Sequence, residues 1–154
     1  MAKKPEDSDM PTIHTYWKNA EEFKCPLCRA KMEHAFNDGG RKVVTIKGEV
    51  WVVSNYYRCT RSDCDLNKAF PIVHENVVQN KKYGRDVWER IIRFHFSYHM
   101  DYSQILMMLR DEWNIYVSKG TVQNICSYFE KASAAFLDEK VLKEVRENGY
   151  IILS

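Results

Sequence analysis

The sequence has no long apolar run, and its amino terminus lacks the apolar stretch that a signal peptide contains. The longest apolar segment is too short to span a bilayer, so we expect no transmembrane helix. Lys3 and Lys4 are followed by Glu6, Asp7 and Asp9 instead of hydrophobic residues. Both absences predict a cytoplasmic protein without a membrane partner. In such a reducing compartment, paired cysteines more often bind metal than form disulfides.

The chain also has little excess of one charge, and we find no internal repeat and no low-complexity tract. The formal net charge is only +2, so the protein as a whole is not a polycation. A surface that binds nucleic acid would have to concentrate its positive charge locally. The 154 residues, 45% hydrophobic and 29% charged, are typical of one average globular domain or two small ones.

The pattern of residues divides the chain into four segments. Residues 1–15 form a polar tail that we expect to be disordered. Residues 16–78 contain four cysteines and runs rich in strand-forming residues. Residues 79–131 show three stretches of helical periodicity, and residues 132–154 continue as an amphipathic helix and the start of an apolar strand. We therefore predict an α+β chain, with a small β-module followed by an all-α domain.

The β-module has little apolar surface with which to stabilise a sheet. Residues 41–51 and 52–58 are rich in Val, Ile, Thr, Trp and Tyr, which fit a half-buried pleated surface. Asn37-Asp38-Gly39-Gly40 and Lys47-Gly48 have the residue types of turns. A sheet of this size generally needs a covalent or metal staple, and its cysteines are suited to supply one.

Four cysteines form two closely spaced pairs, Cys25 with Cys28 and Cys59 with Cys64. Zinc prefers four tetrahedral ligands, and thiolate pairs on two turns can reach one ion from opposite sides. The second pair is spaced more widely than usual, and two disulfides or four free thiols are the alternative. We predict one structural Zn²⁺. Because protein ligands fill its four positions, it has no open site for catalysis. Cys126 falls instead on an apolar helix face, as a small buried hydrophobe.

The first predicted helix covers residues 86–99. Asp86 and Glu89 have the spacing of a capping box. The apolar face is formed by residues at helical spacing, namely Val87, Ile91, Phe94 and Tyr98.

The second and third predicted helices are joined by a short turn. Helix two begins at Asp101 with Gln104 in capping-box spacing, and Asn114 can end it in the left-handed conformation. Ser118 is the predicted N-cap of helix three. Two helices joined in this way, the second opening with a serine cap, have the arrangement of a helix-turn-helix DNA-binding domain.

The polar face of helix three is the predicted DNA contact. Asn and Gln can bond adenine in the major groove, whereas Lys, Ser and Thr suit phosphate oxygens. Any solvated helix face is also polar, but the basic residues ahead of helix one favour DNA. The candidate DNA-binding residues are Lys81, Lys82, Arg85, Ser118, Lys119, Thr121, Gln123, Asn124, Ser127 and Lys131.

The ordered combination of these motifs resembles the N-terminal region of prokaryotic insertion-sequence transposases. The likeness is carried by Cys25-Pro26-Leu27-Cys28, by Tyr57-Arg58-Cys59 with Cys64 and Phe70-Pro71, by Tyr83-Gly84-Arg85-Asp86-Val87 and by Ser118-x-x-Thr121-Val122. The resemblance implies a zinc ribbon and a helix-turn-helix that bind the terminal inverted repeats of a transposon. It also implies a following RNase H-like domain, in which three acidic residues hold two metal ions.

The carboxyl end departs from the family pattern. Residues 150–154 resemble the first strand of the catalytic domain, but the sequence stops at Ser154, before the first catalytic aspartate of the pattern. No residue can be matched to the acidic triad. The resemblance thus implies a non-enzymatic, nucleoid-associated part of a transposase that binds double-stranded DNA and no small-molecule substrate, and that is compatible with a homodimer. A stand-alone transcriptional regulator and a protein–protein adaptor are the alternatives.

Overall fold

The computed structural model describes residues 9–15 and 24–148. Within these ranges, six strands in two small sheets and three α-helices confirm the predicted α+β class. The chain divides into two compact units, and the division falls between Val87 and Trp88. This position lies within the first helix, whereas the sequence pattern placed the boundary between residues 78 and 79.

The first sheet contains β1 (Thr12–His14), β3 (Arg41–Thr45) and β4 (Gly48–Val53), in the order β1-β4-β3. Strands β3 and β4 form an antiparallel hairpin, and β1 pairs with β4 in parallel. Residues 12–14, which fall within the tail of residues 1–15 that was predicted to be disordered, form β1. Ile13 packs beside a buried cluster of Val43, Val52 and Val77, and this packing stabilises a strand too short to stand out in the sequence.

The second sheet contains β2 (Met32–Asn37), β5 (Asn55–Cys59) and β6 (Phe70–Pro71), all antiparallel in the order β2-β5-β6. A register shift separates His34 from Phe36. The inner face of this sheet buries a cluster made of Cys25, Met32, Tyr57 and Cys59. Two of its four buried members are cysteines, so the sheet has few large apolar side chains for a core of its own.

Asp86 joins the start of the first helix to the β3–β4 turn. Its carboxylate accepts hydrogen bonds from the backbone N–H of Ile46 (3.2 Å) and from Nδ2 of Asn76 (3.0 Å). Its own backbone N–H donates to Oδ1 of Asn76 (2.9 Å). The capping box predicted with Glu89 is therefore wrong, because Asp86 bonds residues that are distant in sequence and lies inside a helix that begins at Arg85.

Helix α1 (Arg85–Ile92) continues into a π-helical segment, Arg93–Ser97, instead of running as a single α-helix to residue 99. Val87 and Ile91 are fully buried, as predicted. A π-helical turn holds more residues than an α-helical one and shifts every later residue around the helix axis. Tyr98 consequently leaves the buried face and is 61% exposed.

Helix α2 (Tyr102–Trp113) has both predicted ends. Asp101 accepts from the N–H of Gln104 (2.9 Å), and Gln104 in turn accepts from the N–H of Asp101 (2.9 Å), which completes a capping box. Asn114 ends the helix in the left-handed conformation at φ 53°. Ile105 and Leu109 are its buried residues.

Helix α3 (Lys119–Asn148) is one continuous helix through residue 131, where a separate connecting helix was expected. The Ser118 hydroxyl accepts from the N–H of Thr121 (3.1 Å), as the predicted N-cap does. The strand expected near the carboxyl end, residues 149–154, lies outside the described residues. In the described part of the chain, we find no helix with both the length and the apolar character needed to cross a bilayer.

Candidate metal centre and polar helix face

The first cysteine pair lies on a tight turn before β2. The N–H of Arg29 donates to the carbonyl of Cys25 (2.9 Å), and the N–H of Cys25 donates to the carbonyl of Ala30 (2.7 Å). Arg29 closes the turn at φ 61°, in the left-handed region. The chain thus reverses between Cys25 and Cys28, and both side chains come to the same side.

The second cysteine pair begins at the end of β5 and is held by a wider turn. The N–H of Cys64 donates to the carbonyl of Arg61 (3.3 Å), and the N–H of Asn67 donates to the carbonyl of Cys64 (2.9 Å). The side-chain amide of Asn67 also donates to the carbonyl of Cys59 (3.3 Å). Asn67 therefore ties both ends of the wider turn together, which explains how a four-residue gap still brings its cysteines close.

The four sulfur atoms form one compact group, within 4.8 Å of one another. Sγ of Cys25 lies 3.7 Å from that of Cys64, and Sγ of Cys28 lies 3.4 Å from that of Cys59. Four thiolates at about 2.3 Å around a tetrahedral ion would be about 3.8 Å apart, whereas bonded sulfurs are about 2.05 Å apart. None of the four cysteines is in a disulfide, and their arrangement can hold a metal ion.

Backbone donors and burial act in opposite directions on these thiols. The N–H of Cys28 donates to the sulfur of Cys25 and is the main cause that lowers the pKa of Cys25 from 9.0 to about 7. Burial raises the pKa of Cys59. The N–H of Leu66 lowers the pKa of Cys64, but burial and hydrogen bonds with the other three cysteines outweigh it and raise this pKa to about 12. A bound cation would favour the thiolate at every position, with release of protons.

Two histidines close to the cysteines in sequence, His34 and His74, contact other residues, and the fifth cysteine lies in the other unit. His34 Nε2 lies 2.9 Å from Oδ1 of Asn55, and Nδ1 of His74 accepts from the N–H of Asn76 (3.1 Å). Cys126 is only 1% exposed on α3, in the second unit, and burial raises the pKa of its thiol. Among the described residues, the four predicted cysteines are therefore the group that could hold a metal ion.

The basic candidates ahead of α1 belong to the first unit. Lys81, Lys82 and Arg85 are exposed. Backbone carbonyls of two of them hold the sheet: Lys81 accepts from the Arg41 guanidinium, and Lys82 accepts from the N–H of Val44 (2.9 Å). Nζ of Lys82 lies 5.4 Å from the centroid of its neighbouring tyrosine ring. Their charges therefore project from a segment that is anchored to β3.

The remaining candidates lie on α3 and at its N-cap, Ser118, in the second unit. Val122, Ile125 and Cys126 face the core and are at most 3% exposed. The opposite side is exposed at Ser118, Lys119, Gln123, Asn124 and Lys131, with Thr121 and Ser127 half-buried. We call these seven residues the polar α3 face. The two sets of candidates thus lie in different units.

Several exposed aromatic residues were not singled out from the sequence. Phe36 stacks on Tyr56 with centroids 4.6 Å apart and an interplanar angle of 15°, and Phe36 is 49% exposed. Tyr116, in the turn before α3, is 69% exposed, and Tyr128 on α3 is 64% exposed. Side chains alternate between the two faces of a strand, but the register shift after His34 changes which face Phe36 occupies. The sequence pattern alone therefore did not predict that Phe36 is exposed.

The chain was compared with family models, with curated proteins and with solved structures, and none of the three comparisons gives a match.

Proposed function

We propose that this chain binds double-stranded DNA in a sequence-specific manner, with α2 and α3 acting as a helix-turn-helix and α3 as the recognition helix. The observation that carries the proposal is the polar α3 face, which presents amide, hydroxyl and ammonium groups on one capped helix. An α-helix fits the major groove, where amide side chains can discriminate adenine and ammonium groups can bond phosphates. The chain itself carries no catalytic group in this proposal.

The biological role that we favour is the targeting part of a transposase, which would bind the terminal repeats of a transposon. This choice rests on the motif order from Cys25 to Val122, which resembles insertion-sequence transposases. A stand-alone transcriptional regulator with the same two modules is the alternative. DNA segments bound in cells would distinguish them, because a transposase recognises the ends of its own element whereas a regulator occupies promoters.

We further propose that the four cysteines hold one structural Zn²⁺, in a zinc ribbon. The donor set supports this identity, because four soft thiolates in a tetrahedron favour zinc or iron. Cys25 and Cys59 are fully buried, and a complete protein shell leaves no position for a reacting water. Elemental analysis of protein purified under reducing conditions should give one zinc per chain. Iron in its place would preserve the site and refute the identity of the metal.

The DNA proposal is tested by selection from a library of randomised duplexes, followed by binding measurements on the selected sequence. We expect Asn124→Ala to reduce discrimination between the selected duplex and single-base variants by about 1–3 kcal/mol at one position, because one bidentate base contact is lost. Lys131→Ala should weaken all duplexes alike and reduce the salt slope by about 1.

Glu112→Ala is the control for both variants, since Glu112 is exposed on α2 and lies outside the polar α3 face. It should preserve both discrimination and the salt slope. If no sequence is enriched, or if Asn124→Ala discriminates as well as the original chain, α3 is not the recognition helix.

Gly120 offers an independent test, because no contact with the described part of the chain requires a glycine there. A Cβ at this position would meet no atom within 4 Å, and Gly120 is exposed in the first turn of α3. We expect Gly120→Ala to stabilise the chain by about 0.5–1 kcal/mol. It should nevertheless weaken duplex binding, because an added methyl group separates the helix from the DNA backbone. Urea unfolding measures the stability, and fluorescence anisotropy measures the affinity for the duplex. If Gly120→Ala is more stable and binds the duplex with unchanged affinity, the DNA does not contact the first turn of α3.

A further inference from the structure

We propose that the solvent face of the β2-β5-β6 sheet binds unpaired DNA, separately from the duplex contact assigned to α3. The feature that carries this inference is the exposed stack of Phe36 on Tyr56, on the opposite side of the sheet from the cysteine cluster. The choice of DNA over RNA rests on the proposed function. The stack and the charges beside it do not depend on that function.

The strand register assigns side chains to this solvent face. Glu33 pairs with Arg58 and Phe36 pairs with Tyr56, whereas Met32 and Cys59 point to the buried side. Because side chains alternate along a strand, Lys31 lies on the same face as Glu33. The N–H of Thr60 bonds the carbonyl of Lys31 at the edge of this ladder (3.1 Å), which extends it in register. Lys31 and Phe36 are thus roughly 15 Å apart along one strand.

The same face carries positive charge that the described residues 9–15 and 24–148 do not neutralise. Lys24 and Lys31 are paired across an antiparallel bridge, so two exposed ammonium groups project to the same side. Like charges directly opposite each other are unfavourable. Arg58 is neutralised by Glu33 at 2.6 Å, but neither lysine has an ion-pair partner among residues 9–15 and 24–148. An anionic partner would remove this repulsion.

The partner must therefore offer both negative charge and flat apolar rings within a short length. A single DNA strand does so, since each nucleotide carries a phosphate and a base whose face can stack on an aromatic side chain. A duplex does not, because its bases are already stacked on one another inside the helix. An acidic peptide supplies the charge alone. The spacing between Lys31 and Phe36 would let successive nucleotides of one strand contact both residues.

The test is fluorescence anisotropy with an end-labelled oligothymidine, using the full-length chain with its metal bound. Phe36→Ala should weaken oligothymidine binding by about 10-fold, because one base loses its stacking partner. Phe36→Leu should weaken it similarly, since leucine keeps the apolar volume and lacks the ring, and Phe36→Tyr should restore binding. Metal content and near-ultraviolet circular dichroism of each variant verify that the sheet is folded.

Two matched control variants distinguish base stacking and specific charge contacts from non-specific binding of the oligonucleotide. Phe136→Ala removes a phenylalanine that is even more exposed, at 67%, but lies on α3. Lys31→Ala should reduce the salt slope by about 0.7. Lys42→Ala should not reduce it, because Lys42 is paired with Glu49 in the other sheet. Oligothymidine binding that is insensitive to Phe36→Leu, or equally sensitive to Phe136→Ala, would overturn the proposal.

The outcome is independent of the duplex experiment. If oligothymidine binding requires Phe36 while duplex selection fails, this inference holds and the helix-turn-helix assignment falls. If Asn124→Ala alters duplex discrimination while Phe36→Leu leaves oligothymidine binding unchanged, the proposed function holds and this inference falls.

Discussion

Replacing Cys59 with serine is expected to abolish metal binding and to unfold the β2-β5-β6 sheet. Cys59 is fully buried in a cluster with Cys25, Met32 and Tyr57, and the apolar side chains that pack against this cluster, among them Leu66, Phe70 and Ile72, are only partly buried. So small a core cannot supply much of the roughly 5–15 kcal/mol that stabilises an ordinary domain. Structural zinc in finger peptides contributes about 10–16 kcal/mol of apparent binding free energy, which is folding energy when the unfolded chain has no site. The loss of one thiolate should therefore exceed the effect of any other single substitution in this sheet.

The measurements are the metal content per chain and the urea unfolding curve, each followed with and without a chelator. Far-ultraviolet circular dichroism should keep most of its helical signal, since the helical unit does not contain these cysteines. Cys126→Ala is the matched control. It removes a buried cysteine outside the cluster and should retain the metal at a cost of about 1 kcal/mol. If the Cys59→Ser protein still binds one metal ion per chain with an unchanged unfolding midpoint, the metal centre is refuted.

Each of the two cysteine pairs could be predicted from the sequence because its pattern is local, whereas the approach of the two pairs to each other was expected from the four ligands that zinc prefers. Each pair is closed by a turn of a few residues, and spacing alone places the two sulfurs of Cys25 and Cys28 near each other. The capping box of Asp101 and Gln104 and the left-handed Asn114 were predictable for the same reason, since both depend on neighbouring residues. What spacing does not reveal is that Asn67 closes the wider second turn.

Features that depend on distant residues were missed. Asp86 and Glu89 have the spacing of a capping box, but Asn76 and the N–H of Ile46 compete for the Asp86 carboxylate and prevail. The strand around Ile13 exists because β4 offers an unpaired edge, which the sequence near residue 13 does not contain. The π-helical segment at Arg93–Ser97 likewise interrupts an otherwise regular helical pattern. Local signals therefore predicted the cysteine pairs and the ends of α2 better than the packing between elements.

The loop before β3 illustrates how tightly the two small sheets depend on each other. Oδ1 of Asp38 accepts from the N–H groups of Gly40 (2.9 Å) and Ser54 (2.9 Å), so one carboxylate fixes both the turn and the β4–β5 connection. The indole N–H of Trp51 donates to the carbonyl of Gly39 (3.3 Å). The turn predicted at residues 37–40 thus supports the packing of a nearly buried tryptophan, which is 5% exposed.

Gly40→Ala is consequently expected to destabilise the first unit by about 2–5 kcal/mol, combining left-handed backbone strain with overpacking. Gly40 has φ +88°, and a Cβ there would lie 2.2 Å from Nε1 of Trp51, a contact that forces the ring to move. Urea unfolding of the metal-bound chain measures the loss. Gly48→Ala separates the two causes, because Gly48 has φ +120° but open space around it. This variant should be destabilised by backbone strain alone. Introducing Trp51→Phe should then reduce the cost of Gly40→Ala, because the clashing indole atoms are gone. If Gly40→Ala lowers the free energy of unfolding equally with Trp51 present and in the Trp51→Phe variant, the clash with the indole ring is not a cause of the destabilisation.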